Sequence, residues 1–517
     1  MRKICLSFFV LLFCTCILKG QQTNKLPRNT PEAEGVSSVA IISFLDALEK
    51  SNNEPHSIML LRHGKVIAEG WWKPYSPEQL HNVYSVSKSF TATAVGFAEA
   101  EKLLHLDDKV ISYFPNDLPD TVSDNLHQLR IRDLLTMCAG MESVPPVSDD
   151  KSDSWVKIFF AHPILHKPGT RFLYNPMATY MLSAIVQKVT GTTTYDYLNR
   201  KLFSVIGIRD ADFTISPEGI TCGGWGLRLK TEDMARFGQF YLQKGSWSGK
   251  QLLSAEWVQQ ATSAHIIQHP DLSGATKDTN DWEQGYGYQL WRGLHNTWRA
   301  DGSWGQYILI MPDQDAVLVI TEEALNLQKT LNLVWQYLLP AFKEQALPQN
   351  DPAAHMLRKR LTTLKMPAPR DSSFFSGKMK PAHRVYSISD NDIKISKITL
   401  QLNGKRCDLT VTKDSINFDF RFASGRWMTG ASKVRGMGHP AYFYTKLKEE
   451  APSKVAGTFY WVTPDSLKLI LQYTQSQFKE FINRETITLT FEGDKVSMNI
   501  DDNRGWKVKC SGNQFSY

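Results

Sequence analysis

The apolar residues of this chain change period near residue 371. Beyond it they recur at every second position: Ile398, Leu400 and Leu402, then Ile416, Phe418 and Phe420. Ile487, Leu489 and Phe491 face Val496, Met498 and Ile500 across the turn Glu492-Gly493-Asp494-Lys495. Several alternating strands at short spacing predict a small antiparallel barrel or sandwich over 372–517. Earlier in the chain the dominant period is helical. Phe90, Ala94 and Ala98 recur every four residues through 86–104, and the many small residues there predict a tightly packed helix. At 517 residues the chain is too long for one compact core, so two domains are expected. Pro348, Pro352, Pro367 and Pro369 around a short basic helix mark a linker over 346–371.

The N-terminal part, 28–345, mixes both kinds of element. SIMLLRHGKVIAEGW (57–71) reads as two strands about His63-Gly64-Lys65, and residues 105–200 hold helical segments, among them 179–189. Thr231 is placed to cap a helix whose first turn carries Glu232 and Asp233. Gln306–Met311 and 316–321 form a hairpin about Pro312-Asp313-Gln314-Asp315, followed by a helix near 325–342. Strands at both ends with helices between them predict an α/β domain with a helical insertion at about 105–200.

Residues 1–20 read as a signal peptide: basic Arg2 and Lys3, an apolar run over 4–18, and Gly20-Gln21 as the cleavage point. No stop-transfer stretch follows, so the expectation is an exported chain, periplasmic or secreted, with no integral membrane span. Cys14 and Cys16 leave a lipid-anchored variant open, but Phe13 and Thr15 surround them poorly for it. Losing Arg2, Lys3 and Lys19 takes the formal charge from +7 to +4, too weak and dispersed for nucleic acid. Cys138, Cys222, Cys407 and Cys510 lack CxxC spacing, and neither a metal nor another cofactor is expected. An exporting compartment permits disulfides, and Cys407 with Cys510 is a conceivable pair.

Ser85-Val86-Ser87-Lys88 is an SxxK motif. Ser148 to Lys151, Ser154 to Lys157 and Ser476 to Lys479 have the same spacing, but Ser85 alone opens a long small-residue helix after a short extended stretch, 82–84. Residues three apart on a helix share a face, so the Lys88 amine can reach the Ser85 hydroxyl. A serine hydroxyl is a poor nucleophile until a base takes its proton, and a lysine whose pKa is depressed by burial can be that base. The helix start leaves backbone N–H groups unpaired, and that of Ser85 can receive an oxyanion. The plainer reading is a surface Ser and Lys at a helix start.

YSVSKSFTATAVGFAEAEKLLHLDDKVISYFP resembles the nucleophile region of the β-lactamase-related serine hydrolases. These include class C β-lactamases, D-alanyl-D-alanine carboxypeptidases, carboxylesterases and 6-aminohexanoate-oligomer hydrolases. The resemblance continues in order through IRDLLTMCAGM (131–141), PGTRFLYNPMATYMLSAIVQKVTG (168–191), GGWGLRLKTEDMARFG (223–238), YGYQLW (286–291) and ADGSWGQYILIMPD (300–313), covering roughly 30–340. It implies an antiparallel sheet flanked by helices with an all-helical subdomain, the site lying between the two. Ser85 and Lys88 then match directly, and Tyr174 looks like the phenol or phenolate that relays a proton; Lys88 and Tyr174 both stay open as the base.

Pro176 lacks the polar side chain usual after Tyr-x, with Asn175 as a substitute substrate contact. Where relatives carry Lys-Thr-Gly or His-Thr-Gly, this chain has Ala300-Asp301-Gly302. Gly302 suits close backbone approach, and the N–H of Ser303 would be the second oxyanion donor. The usual cation is absent, Asp301 adds negative charge, and adjacent Arg299 points to the opposite strand face from Ala300. A neutral or amine-bearing ester or amide is therefore expected, on a small molecule or short peptide. Tyr286 and Trp304, with Trp225 and Trp291, are candidate pocket walls, though packing explains such aromatics equally well. The rival readings are a β-lactamase or D-alanyl-D-alanine carboxypeptidase, and a catalytically weak penicillin-binding-like binding or sensor protein.

Overall fold

Apolar runs without alternation build the central sheet, because both of its faces are covered. In a computed structural model describing residues 25–147, 154–369, 382–433, 437, 452–475, 483–503 and 505–515, six antiparallel strands lie side by side. They are β1 (Glu54–Arg62), β2 (Lys65–Trp71), β3 (Trp291–Arg292), β4 (Trp298–Gly302), β5 (Gln306–Met311) and β6 (Ala316–Glu323), in the order β2-β1-β6-β5-β4-β3. Met59, Leu61, Ile308, Ile310, Val317 and Val319 face one core; Ile58, Leu60, Leu309, Leu318 and Ile320 face another. The second core is closed by helices α1 (Ser38–Glu49) and Leu327–Leu333.

The first core holds α2 (Ser87–Ala100), α3 (Pro176–Thr190) and α4 (Thr231–Leu242). Residues 87–98 of α2 are all buried. Its small residues are required there: a Cβ on Gly96 would lie 2.5 Å from the Trp257 ring, while Phe90 stacks on Phe237 at 3.8 Å. Short helices over 110–206 form the helical part. The α4 start differs from expectation. Lys230 is the cap residue, with its N–H bonded to Asp233 Oδ2, while the Thr231 hydroxyl donates to Ser57 and accepts from Trp71. Thr231 thereby ties the helix to the sheet and caps nothing.

Residues 346–369 carry the helix Asp351–Thr362, which packs on α1 through Leu357 and through Arg360 with Asp46 and Glu49. The C-terminal β domain is a closed barrel of nine strands. Parallel pairing of Ile416–Ser424 with Ser453–Thr463 closes it; all other neighbours are antiparallel, and Met428–Ser432 adds a short tenth strand at the seam. The alternating residues seen in the sequence fill its interior. Cys407 and Cys510 are free buried thiols there, not a disulfide. Their strands, Arg406–Lys413 and Lys507–Gln514, are separated by two others around the wall, which keeps the sulfurs from bonding reach. No helix among the described residues is long and apolar enough to cross a membrane. The expected signal peptide lies outside the described residues.

Candidate active site

A sharp turn carries Ser85 into α2. The two-residue strand His81–Asn82 pairs with Leu227–Leu229, and the chain then reverses through a single 3-10 turn, Tyr84–Val86. Ser85 sits in that turn, two residues before the helix, where the sequence suggested an extended approach over 82–84 and a helix beginning at Ser85. The difference arises at Tyr84, whose φ of 49° is left-handed. For a residue with a bulky side chain this conformation costs about 1–3 kcal/mol and persists only where surroundings fix it. Here the Tyr84 N–H donates to Asn82 Oδ1 (3.0 Å), its carbonyl accepts from the Ser87 hydroxyl, and its ring is buried.

The SxxK spacing still brings the two groups together. Lys88 Nζ lies 2.8 Å from Ser85 Oγ and 2.7 Å from the Gly224 carbonyl oxygen, and the side chain is 1 % exposed. No carboxylate lies within ion-pair distance of it among the described residues. Burial lowers its pKa from 10.5 to about 7, against the opposing pull of Asp301. Gly224 belongs to the Gly-Gly-Trp-Gly run, which the sequence reading noted without assigning it a role. A Cβ at Gly224 would stand 2.8 Å from the Pro176 carbonyl, and Gly223 (φ 69°) packs on Ser183. The glycines allow this loop to press its carbonyl against the lysine.

Tyr174 lies against the pair, with Lys88 Nζ 4.7 Å from the centre of its ring. Trp291 stacks on the same ring at 5.5 Å and Tyr286 meets it edge-on at 6.4 Å. Burial first, then the Asp301 charge, hold the phenol far above its ordinary 10, so it stays protonated at neutral pH. Tyr286 is thus a buried support behind Tyr174. Asn175 departs from expectation: it is 1 % exposed and its Oδ1 accepts the Met177 N–H (2.9 Å), capping α3 ahead of Pro176. A cap of this kind stabilises a helix by about 1 kcal/mol and occupies the Asn175 oxygen, while Nδ2 faces Met141 Sδ at 3.4 Å.

Gly302 ends β4 against the turn that carries Ser85. A Cβ on it would come 2.3 Å from the Val83 carbonyl and 3.2 Å from the Ser85 nitrogen. Only glycine permits this approach, and the exposed Ser303 follows it directly. Trp304 has φ 67° and its carbonyl accepts from the Ala324 N–H, within the same turn. Asp301 is not an isolated charge. Arg299 Nε donates to its Oδ2 at 3.1 Å, and the fully buried guanidinium lies over the Trp282 ring at 4.4 Å. Arg299 and Asp301 share a strand face, and buried Ala300 lies on the other. Trp225 packs near Trp155 at 5.8 Å.

One group of three metal-capable side chains occurs among the described residues, Glu54, His56 and Glu323. It lies at the barrel contact: Arg484 pairs with Glu54, and Asn503 Nδ2 donates to Glu323.

The Beta-lactamase family model matches residues 48–331. A 6-aminohexanoate-dimer hydrolase of Paenarthrobacter ureafaciens is 26% identical over 310 residues, which are 56% of this chain and 78% of that protein. Among solved structures, the octameric penicillin-binding protein homologue from Pyrococcus abyssi is 16% identical with a TM-score of 0.47, covering 92% of this chain and 99% of that one. A family VIII carboxylesterase is 15% identical with a TM-score of 0.48, over 60% and 98% respectively.

Proposed function

The chain belongs to the β-lactamase family of hydrolases, and from that premise we propose that it is a serine hydrolase acting through an acyl-enzyme on Ser85. The observation that carries this reading is the buried amine of Lys88, 2.8 Å from the Ser85 hydroxyl and without an ion-paired carboxylate. A lysine so enclosed is ordinarily paired; one left unpaired against a hydroxyl is a base.

The neutral Lys88 amine takes the Ser85 proton as Oγ attacks the substrate carbonyl. The Ser85 and Ser303 N–H groups receive the oxyanion. The tetrahedral intermediate collapses, the leaving group takes a proton from the Lys88 ammonium by way of the Tyr174 phenol, and the acyl group stays on Oγ. Water, deprotonated by the same amine, then releases the acid and returns the proton to Ser85. Tyr174 is held too far above neutrality to serve as the resting base, so the relay runs through its neutral phenol.

The substrate class follows from strand β4. With Ala300 in place of a cation and Arg299 committed to Asp301, nothing on that strand answers a substrate carboxylate. The site suits a neutral or amine-bearing ester or amide, and the 6-aminohexanoate-dimer hydrolase relative accords with an amide. Residues 1–20, read as a signal peptide, put this hydrolase in an exported compartment. A screen of p-nitrophenyl esters, β-lactams and amide oligomers against wild type and Ser85→Ala tests the reading. Turnover of neutral esters or amides that disappears in Ser85→Ala is expected; a strong preference for matched anionic substrates contradicts the substrate class.

A further inference from the structure

The barrel meets the hydrolase domain beside the nucleophile turn. The Tyr84 hydroxyl, on the residue before Ser85, lies 3.2 Å from Nδ2 and 3.5 Å from Oδ1 of Asn483, at the start of the barrel strand Arg484–Glu492. Asn483 is itself firmly held. Its N–H donates to Asn503 Oδ1 (3.1 Å), and its carbonyl accepts from the Tyr473 N–H (2.8 Å). Its neighbours fasten this corner of the barrel to two adjacent strands of the sheet: Arg484 pairs with Glu54 on β1, and Asn503 Nδ2 donates to Glu323 on β6 at 2.8 Å. The reach from sheet to barrel thus returns to the left-handed residue that aims the nucleophile.

We propose that Asn483 is a positioning residue for acyl transfer, holding the Tyr84 phenol and, through the Tyr84 backbone, the Ser85 hydroxyl and amide. The barrel is on this account a part of the catalytic unit. The inference rests on Ser85 being the nucleophile. Tyr84 cannot relax without moving Ser85, because its carbonyl is bonded to the Ser87 hydroxyl and its Cβ packs against Gly302. Small displacements of a reacting atom are enough to slow chemistry while leaving binding intact.

The test uses the full chain, with fluorophosphonate acylation rates, kcat and KM on a neutral p-nitrophenyl ester, and melting temperature. Asn483→Ala and Tyr84→Phe are each expected to slow acylation about tenfold with KM nearly unchanged, since misplacement costs rate before affinity. The double variant should be no slower than the slower single, because both remove one interaction. Thr474→Val removes another contact of the same interface, the Gln79–Thr474 hydrogen bond at 3.0 Å, and should leave acylation at the wild-type rate. Wild-type acylation in Asn483→Ala, multiplying losses in the double variant, or equal slowing in Thr474→Val overturns the proposal. Should Asn483→Ala fail to fold, Tyr84→Phe decides alone, and a wild-type rate in it overturns the proposal. A wild-type chain that is not labelled removes the Ser85 reading and this inference together; a labelled wild type with an equally fast Asn483→Ala removes only the inference.

Discussion

An amine enclosed as Lys88 is carries its cost at one end of the pH scale. Its pKa falls from 10.5 to about 7, and at roughly 1.36 kcal/mol per unit this amounts to about 5 kcal/mol as an order of magnitude. The unfolded chain binds more protons than the folded one between these two values. The group therefore destabilises the fold fully below pH 7, and progressively less as pH rises toward 10.5. Lys88→Met should raise the melting temperature at pH 6 by more than at pH 10, while abolishing acylation; an equal gain at both contradicts the assignment. The same titration governs rate. Acylation should rise with pH through an apparent pKa of about 7 as Lys88 loses its proton. Asp301 pulls that pKa upward, so Asp301→Asn should move the rise to lower pH, measured as the pH profile of kcat/KM. Sequence spacing was enough to pair Ser85 with Lys88, because a 3-10 turn running straight into a helix keeps residues three apart on one face. Arg299 with Asp301 was harder: the alternation rule correctly separates Arg299 from Ala300, yet the same rule sets it beside Asp301, and that pairing went unread.

At the level of elements, two close approaches build the site. Gly302 brings β4 against the Tyr84–Val86 turn, and Gly224 brings a loop carbonyl against Lys88. Gly302→Ala must displace backbone, since its new Cβ would meet the Val83 carbonyl at 2.3 Å. Loss of one oxyanion donor costs about 10²–10³ in rate, and Gly302→Ala should lose turnover on that scale while still binding substrate; a kcat within twofold of wild type contradicts the placement of the Ser303 amide. Elements with strong periodicity were legible in advance, α2 and the β5–β6 hairpin above all. The cap role of Asn175 was not legible, because a polar residue before Pro176 answers two needs, a helix cap and a substrate contact. The Tyr84 turn left no trace in the sequence, since a tyrosine gives no signal of positive φ.

The whole molecule joins a double-faced sheet domain to a closed barrel, and their contact runs through charged and amide side chains around Glu54, Tyr75 and Glu323. The period-two pattern announced the barrel itself. Its docking could not be read, because contacts such as Tyr84 with Asn483 join positions some 400 residues apart. Burial raises the Glu54 pKa, but His56 and then Arg484 outweigh it and bring it from 4.5 to about 2. This contribution is complete above pH 4.5 and is lost as pH falls through 2. Arg484→Met should accordingly lower the melting temperature at pH 7 more than at pH 2, read by calorimetry. Above all, the proposed chemistry requires a covalent bond at one oxygen, that of Ser85. Brief reaction of the full chain with a fluorophosphonate, followed by peptide mapping by mass spectrometry, should find a single adduct on Ser85, formed faster at pH 8 than at pH 6. An adduct on another residue, or none at all, contradicts it.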